Sequence, residues 1–406
     1  MAGYATVGGV AALVTFLVTF LMRRVAPRLG AMAMPGPRSV HTYPTPSLGG
    51  GAIFVGFLAA MAVASQLGQF HEMFQDSSEP VGVLLAAGVM FAVGTIDDVR
   101  EVSPPAKLAG QILSGSMLSL LGVSMLYFRV PFASSNYIVL SSDLAPIVTM
   151  LMVVVMANAI NLVDGLDGLA AGIVFIAGTA FFLYADRLFK AGLLDGANIA
   201  PLIAIIAVGV SAGFLPHNFS PARIFMGDAG AMLLGLLLAV CTITVGGRTA
   251  DQFSGQTYFF FAPLVIPVVI LGVPIVDTVL SFVRRVVRRQ PFSQADRDHL
   301  HHRLMRLGHG PRRSVVILWA WTALLSAVAL VPTYLNRGNE LVPLALVGAL
   351  LALYIYFHPG VRRAAEQGEA ELATAGPEGE VPAVGASIAD DVIDLEARRR
   401  VGGDRP

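Results

Sequence analysis

The chain has 406 residues, 55% of them hydrophobic and only 13% charged, with a mean hydropathy of +0.70. A soluble domain is about a quarter charged, so too few polar side chains exist to coat a water-soluble surface, and the chain reads as an integral membrane protein. Its 27 basic and 27 acidic residues exclude nucleic-acid binding through bulk positive charge, and a lone cysteine, Cys241, excludes a disulfide framework, a thiolate zinc cluster and an iron–sulfur centre.

About 20 apolar residues in helix cross a hydrocarbon core of ~30 Å. About eleven such runs follow along the chain: 3–22, 48–67, 80–96, 107–127, 143–162, 168–185, 199–216, 230–246, 257–280, 314–332 and 341–358. The expected fold is therefore all-α and polytopic, a transmembrane domain over 1–360 with functional loops on one side. The first run does not read as a cleavable signal peptide, because Arg23 and Arg24 follow it instead of preceding it. One set of connecting loops holds Arg23, Arg24, Arg28, Arg38, Arg100, Lys107, Arg223 and a dense run from Arg284 to Arg313. The other holds Arg129, Arg187, Lys190, Arg248 and Arg337. The excess of about threefold makes the first set cytoplasmic, with the N-terminus outside and the C-terminus inside. Residues 361–406, rich in Ala, Gly, Glu and Arg, cannot bury enough surface to offset ordering and are expected to be a disordered cytoplasmic tail. Ile388–Arg400 is its one candidate amphipathic helix.

Every unusual polar cluster falls on the cytoplasmic side of this arrangement. In order they are Pro35-Gly-Pro-Arg38-Ser-Val-His41 leading into Pro46-Ser-Leu-Gly-Gly-Gly51; Gly94-Thr-Ile-Asp97-Asp98; Asn158-Ala-Ile-Asn161-Leu-Val-Asp164-Gly-Leu-Asp167-Gly168; Phe225-Met-Gly-Asp228-Ala-Gly230; and Asp296-Arg-Asp-His299-Leu-His301-His302-Arg303. A single interfacial Asp reads as a helix cap or a solvated loop residue. Asp97, Asp98, Asp164, Asp167 and Asp228, at the ends of three spans and each near Gly, read differently. Packed together they would repel unless a cation intervenes, and hard oxygen donors suit Mg²⁺ or Mn²⁺. Asn158, Asn161 and Asp164 recur at i, i+3 and i+6, near one helical face.

Cations accompany them. Arg284/Arg288 and Arg285/Arg289 stand at i, i+4 and would present adjacent guanidinium forks, although juxtamembrane arginines also simply set topology. His299, His301 and His302 suit either a metal or phosphate hydrogen bonding, and Lys107 is a point charge for a phosphate at headgroup depth. Carboxylates in need of a divalent cation beside groups suited to several phosphates point to phosphoryl transfer on a diphosphate, with a lipid as one substrate. No Walker A loop or dinucleotide fingerprint is present, so ATP-driven transport and redox chemistry have no support.

In these clusters the chain resembles the polyprenyl-phosphate N-acetylhexosamine-1-phosphate transferases (glycosyltransferase family 4). The likeness runs in order from Arg38 to Gly308: R-x-x-H…P-x-x-GG, the Asp pair with K-L-x-x-Q (Lys107 to Gln111), N-x-x-N-x-x-DGLDGLA-x-G, GD-x-G, and DR-x-HLHHRL…G. The Asp-His-Leu-His-His-Arg-Leu loop is similar to the branch that uses UDP-N-acetylglucosamine (UDP-GlcNAc). The branch acting on UDP-N-acetylmuramoyl-pentapeptide carries three consecutive histidines. Gly230-Ala231 replaces the commoner Gly-Ser and leaves Asp228 intact.

The resemblance implies that Asn161 and Asp228 coordinate Mg²⁺, that Lys107 holds the lipid phosphate, and that Asp97 and Asp98 activate or orient it. It further implies that Asp164 and Asp167 line the sugar-nucleotide pocket, and that His299, His301, His302 and Arg303, with Arg285 and Arg288, bind the pyrophosphate or sugar. The implied reaction is UDP-GlcNAc plus polyprenyl phosphate giving polyprenyl-diphosphate-GlcNAc plus UMP, the start of a lipid-linked cell-envelope glycan, by direct attack in preference to a phospho-Asp intermediate. Another UDP-N-acetylhexosamine, or UDP-N-acetylmuramoyl-pentapeptide, remains an alternative donor. A transporter of lipid-linked sugars is disfavoured, because ionisable groups crowd one interface instead of the midplane. Polyprenyl length and oligomeric state, a homodimer included, stay open.

Overall fold

A computed structural model describes residues 1–35, 43–100, 102–128, 138–246, 304–305, 309–335 and 341–357. The tail after 360, Arg38, His41, Arg285, Arg288, His299, His301, His302 and Arg303 lie outside the described residues, as does the run at 257–280. Contacts divide the chain into Met1–Tyr356 and Phe357–Pro406; the fold below is that of the first unit.

The described residues are almost entirely helical. The helices are α1 (Ala2–Val25), α2 (Gly49–Gln66), a short α3 (His71–Gln75), α4 (Glu79–Val99), α5 (Pro104–Leu120), α6 (Leu144–Val163), α7 (Leu169–Lys190), α8 (Ala200–Asn218), α9 (Gly227–Gly246), α10 (Pro311–Leu335) and α11 (Leu341–Phe357). Two minimal antiparallel hairpins interrupt them, pairing Met32 with Pro46 and Ala33 with Thr45, and Tyr127 with Val139 and Phe128 with Ile138. The all-α, multi-pass membrane architecture expected from hydropathy is what is found.

Ten of the eleven expected runs fall on described residues. Among the described residues, eight helices are long and apolar enough to cross a bilayer. The runs at 107–127 and 341–358 form α5 and α11, helices of 17 residues each. In the first, the helix ends at Leu120 and the chain turns through Gly122 into the Tyr127–Phe128 strand, so continuous hydrophobicity outlasts the helix.

Burial explains the layout. On α1 the buried positions Val7, Gly8, Ala11, Thr15 and Thr19 form one stripe, while Leu13, Phe16, Leu17, Phe20 and Leu21 are exposed, as a helix facing lipid on one side requires. In α9 every residue from Ala229 to Val245 is buried. A helix apolar all round belongs at the centre, and α9 packs against α4, α6, α8 and α2. Around it, α1 packs on α8 and α2, α5 on α4 and α6, and α10 on α7. The N-terminus of α9 is thereby surrounded by helix ends.

Candidate active site

Asp228 opens α9, and its position is set by backbone. Phe225 donates its N–H to Pro46 O at 2.8 Å, while Gly49 and Gly50 donate theirs to Phe225 O at 2.9 Å and Met226 O at 2.8 Å. This short ladder ties the Pro46–Gly50 segment to the chain entering α9. Gly227 then turns at φ +68°, and a Cβ there would lie 2.5 Å from Asp98 Oδ2. Only glycine provides both the left-handed backbone and the room.

Asp98 fills that room. Its Oδ1 accepts from Asp228 N–H at 2.7 Å and its Oδ2 from Ala229 N–H at 3.1 Å. It satisfies two of the amides left orphaned in the first turn of α9, where the helix dipole also favours an anion. Gly94, one turn earlier on α4, permits the approach: a Cβ there would sit 2.3 Å from Ala229 Cα. The Asp pair therefore divides its work. Asp98 caps α9, and Asp97 turns to the neighbouring helix.

Asp97 Oδ1 accepts from Val102 N–H at 2.8 Å, which holds the α4–α5 turn. Its Oδ2 lies 2.7 Å from Lys107 Nζ, and Lys107 also pairs with Asp228 Oδ2. Lys107, from the first turn of α5, thus stands between carboxylates of α4 and α9, with 20% of its side chain still accessible. The counter-charge that sequence reasoning assigned to a metal alone is in part this ammonium.

The second group of carboxylates lies at the α6–α7 turn. α6 ends at Val163, so Asp164 leaves helical geometry (φ −72°, ψ 42°) and continues the Asn158–Asn161 row only approximately. Among the described residues, neither Asn161 nor Asp164 has a side-chain hydrogen bond. Burial pushes the Asp164 carboxyl well above the usual carboxylate range, and the charges of Asp228, Asp98 and Asp167 raise it further. Asp164 is thus within electrostatic reach of the α9 cluster.

Asp167 behaves differently. Its Oδ2 accepts from Ala222 N–H at 2.9 Å, binding the α6–α7 turn to the loop between α8 and α9. Beside it, buried Asn218 accepts from Gly168 N–H at 3.0 Å and donates to Ile224 O at 3.0 Å. Asp167 is thus committed to loop structure. Asn218 is a residue that sequence reasoning passed over; its only signal was an amide closing an apolar helix. Leu304, next in the chain after Arg303, packs in one cluster with Leu166, Leu169 and Val315.

The structure therefore brings together Asp97, Asp98, Lys107, Asp164, Asp167 and Asp228, with Asn161 on the last turn of α6. The described residues contain no group of three or more His, Cys, Asp or Glu arranged to hold a metal. Mg²⁺ takes one or two carboxylates plus substrate phosphates and needs no all-protein cage. The oxygen donors of Asn161 and Asp164, without hydrogen-bond partners among the described residues, are chemically suited to such an ion.

Fold and site together describe a multi-pass membrane enzyme of phosphoryl transfer. A family model described as glycosyl transferase family 4 matches residues 80–246. The chain is 36% identical over 363 residues to the decaprenyl-phosphate N-acetylglucosaminephosphotransferase of Mycolicibacterium smegmatis, covering 88% of this chain and 89% of that protein. It is 37% identical over 335 residues to the protein of the same name from Mycobacterium tuberculosis H37Rv, covering 82% and 83%. To the probable undecaprenyl-phosphate N-acetylglucosaminyl 1-phosphate transferase of Bacillus subtilis it is 32% identical over 323 residues, covering 79% and 83%. The chain belongs to glycosyl transferase family 4, among its polyprenyl-phosphate N-acetylglucosamine-1-phosphate transferases.

Proposed function

We propose that this protein transfers GlcNAc-1-phosphate from UDP-GlcNAc to a polyprenyl phosphate, releases UMP, and requires Mg²⁺ or Mn²⁺. The observation that carries the reading is the Asp97–Lys107–Asp228 cluster at a helix junction. It supplies charge for two phosphorylated substrates at the depth where a lipid phosphate arrives. The names of the relatives support the donor and acceptor.

An ammonium has three N–H donors. Lys107 spends two on Asp97 and Asp228, and the third serves the acceptor phosphate. Asp98 fixes the first turn of α9 and so orients Asp228 without touching substrate. Asn161 and Asp228, with Asp164 beside them, would hold the divalent ion, which would neutralise diphosphate charge when bound. A phosphate oxygen of the acceptor then attacks the β-phosphorus of UDP-GlcNAc. The bond from that phosphorus to the bridging oxygen breaks, and UMP leaves with the bridging oxygen. A phosphate is already a nucleophile once its charge is screened, so Asp97 is needed to place Lys107 and not as a base. The His299–Arg303 segment binds the donor, and the site-bearing loops face the cytoplasm, with the N-terminus outside.

The test is purified protein with polyprenyl phosphate, Mg²⁺ and a panel of UDP-sugars, scored for UMP. UMP release dependent on polyprenyl phosphate and greatest with UDP-GlcNAc is expected. Release with another UDP-N-acetylhexosamine alone would replace the donor, and none with any would overturn the reading. Cysteine labelling of 295–305 in a Cys241-free protein, from outside intact cells, should fail.

A further inference from the structure

Below the charged layer lies a second, neutral one. Asn158 Nδ2 donates to Gln111 Oε1 at 2.7 Å and to Val154 O of its own helix at 2.7 Å, while Gln111 Nε2 points to Met232 Sδ at 3.3 Å. Gln111 is 1% exposed and Met232 is fully buried. Each of the three belongs to a helix that carries a proposed functional group one turn away. Gln111 is four residues after Lys107 on α5, Asn158 three before Asn161 on α6, and Met232 four after Asp228 on α9. Spacings of three and four keep each pair on one helical face.

We propose that Gln111 and Asn158 are positioning residues for the transfer reaction, a carboxamide bridge that sets the rotation of α5 against α6 and so places Lys107 relative to Asn161 and Asp228. This inference rests on the reading of the site as one of phosphoryl transfer. A buried amide costs free energy unless it is paired, and a Leu or Met at 111 would pack among apolar helices without that cost. What the amide adds is direction: a hydrogen bond tolerates little misalignment, whereas apolar contacts let helices turn. A rotation of about 10° at the roughly 6 Å radius of a helix with its side chains moves a terminal group by about 1 Å. Misplacement on that scale lowers rates by up to ~100-fold.

The experiment uses the full-length protein in detergent, with melting temperature, kcat, and KM for each substrate measured separately. Gln111→Met removes the bridge at nearly constant volume. Asn158→Ser keeps a donor for Val154 O but cannot span to Gln111. Each should lower kcat per folded molecule by ~10–100-fold while KM for UDP-GlcNAc stays within about twofold of the parent. The double variant should be no worse than the poorer single one, because the two act as a unit. The exchanged pair, Gln111→Asn with Asn158→Gln, preserves the summed length and should recover much of the lost kcat. Melting temperatures that fall while kcat per folded molecule holds would overturn the proposal, as would strictly additive losses. So would failure of both single variants to fold, since the pair would then belong to the fold alone. Absence of UMP from the parent protein would instead overturn the function itself.

Discussion

Asp97, Asp98 and Asp228 sit where α4, α5 and α9 meet, and each already has donors: Val102 N–H and Lys107, the amides of Asp228 and Ala229, and Lys107 again. Asn161 and Asp164, at the end of α6, have no such partner among the described residues. Both groups are oxygen-rich and neighbouring, yet the first is assembled by the fold and the second has no such donors among the described residues. Backbone amides and the Lys107 ammonium already give the first group its hydrogen-bond donors. In the proposed mechanism the first group, through Lys107, would receive the acceptor phosphate, and Asn161 and Asp164 would hold the metal together with Asp228.

Removing the divalent ion should strike the unfinished side hardest. Excess chelator should abolish UMP release, and Mg²⁺ or Mn²⁺ should restore it; full turnover in chelator would mean that Lys107 alone neutralises the substrates. Next come single ligands. Asp228→Asn and Asn161→Ala should each lower kcat by at least ~100-fold, the scale of losing one strong electrostatic contact. Circular dichroism should stay unchanged, because Asp98 still caps α9. Near-parental rates in either variant would remove that residue from the metal site.

Lys107→Ala probes the assembled side and should act more selectively. Without the ammonium, Asp97 and Asp228 face the acceptor phosphate as bare anions, so KM for polyprenyl phosphate should rise by about tenfold or more, consistent with one lost charge-assisted contact, with kcat reduced as well. KM for UDP-GlcNAc should stay within about twofold of the parent, the pattern of an interaction confined to one substrate. A defect confined to UDP-GlcNAc would move Lys107 to the nucleotide.

These contrasts also mark what could be read from sequence. Ten of the eleven expected spans coincide with helices among the described residues, since length and apolarity alone specify a membrane helix. The short reach of α5 was hidden because Leu121 to Leu126 is as apolar as a helix interior. Residue types at the site were visible as clusters of Asp, Asn and Gly. Their division of labour was not: Asp98 and Asp228 are 130 residues apart, and no local pattern says that one aspartate of a pair caps a distant helix while its neighbour binds a lysine. The clasp between Asp167 and Ala222 N–H and the Gln111–Asn158 bridge were similarly obscure. Asp167, Gln111 and Asn158 each stood in a motif, but nothing local named their partners, and Asn218 had no motif at all.

The smallest expected effect tests the asymmetry without any turnover. The Asp164 carboxyl is held well above the ordinary range by burial and by the charges of Asp228, Asp98 and Asp167, whereas in the unfolded chain it titrates near ~3.9. Below that pH both states are protonated, and Asp164 contributes no pH dependence. As pH rises further, the unfolded chain releases the proton while the folded protein keeps it, so the unfolded state binds fewer protons and stability falls with pH until the folded carboxyl also ionises. Asp164→Asn cannot ionise and escapes this loss. In metal-free detergent solution the variant and the parent should melt together near pH 4, and the variant should melt a few degrees higher at pH 8. Excess Mg²⁺ at pH 8 should close the gap by stabilising the ionised parent. Equal melting temperatures at every pH would mean that Asp164 already has a counter-charge, and the contrast between the two halves of the site would collapse.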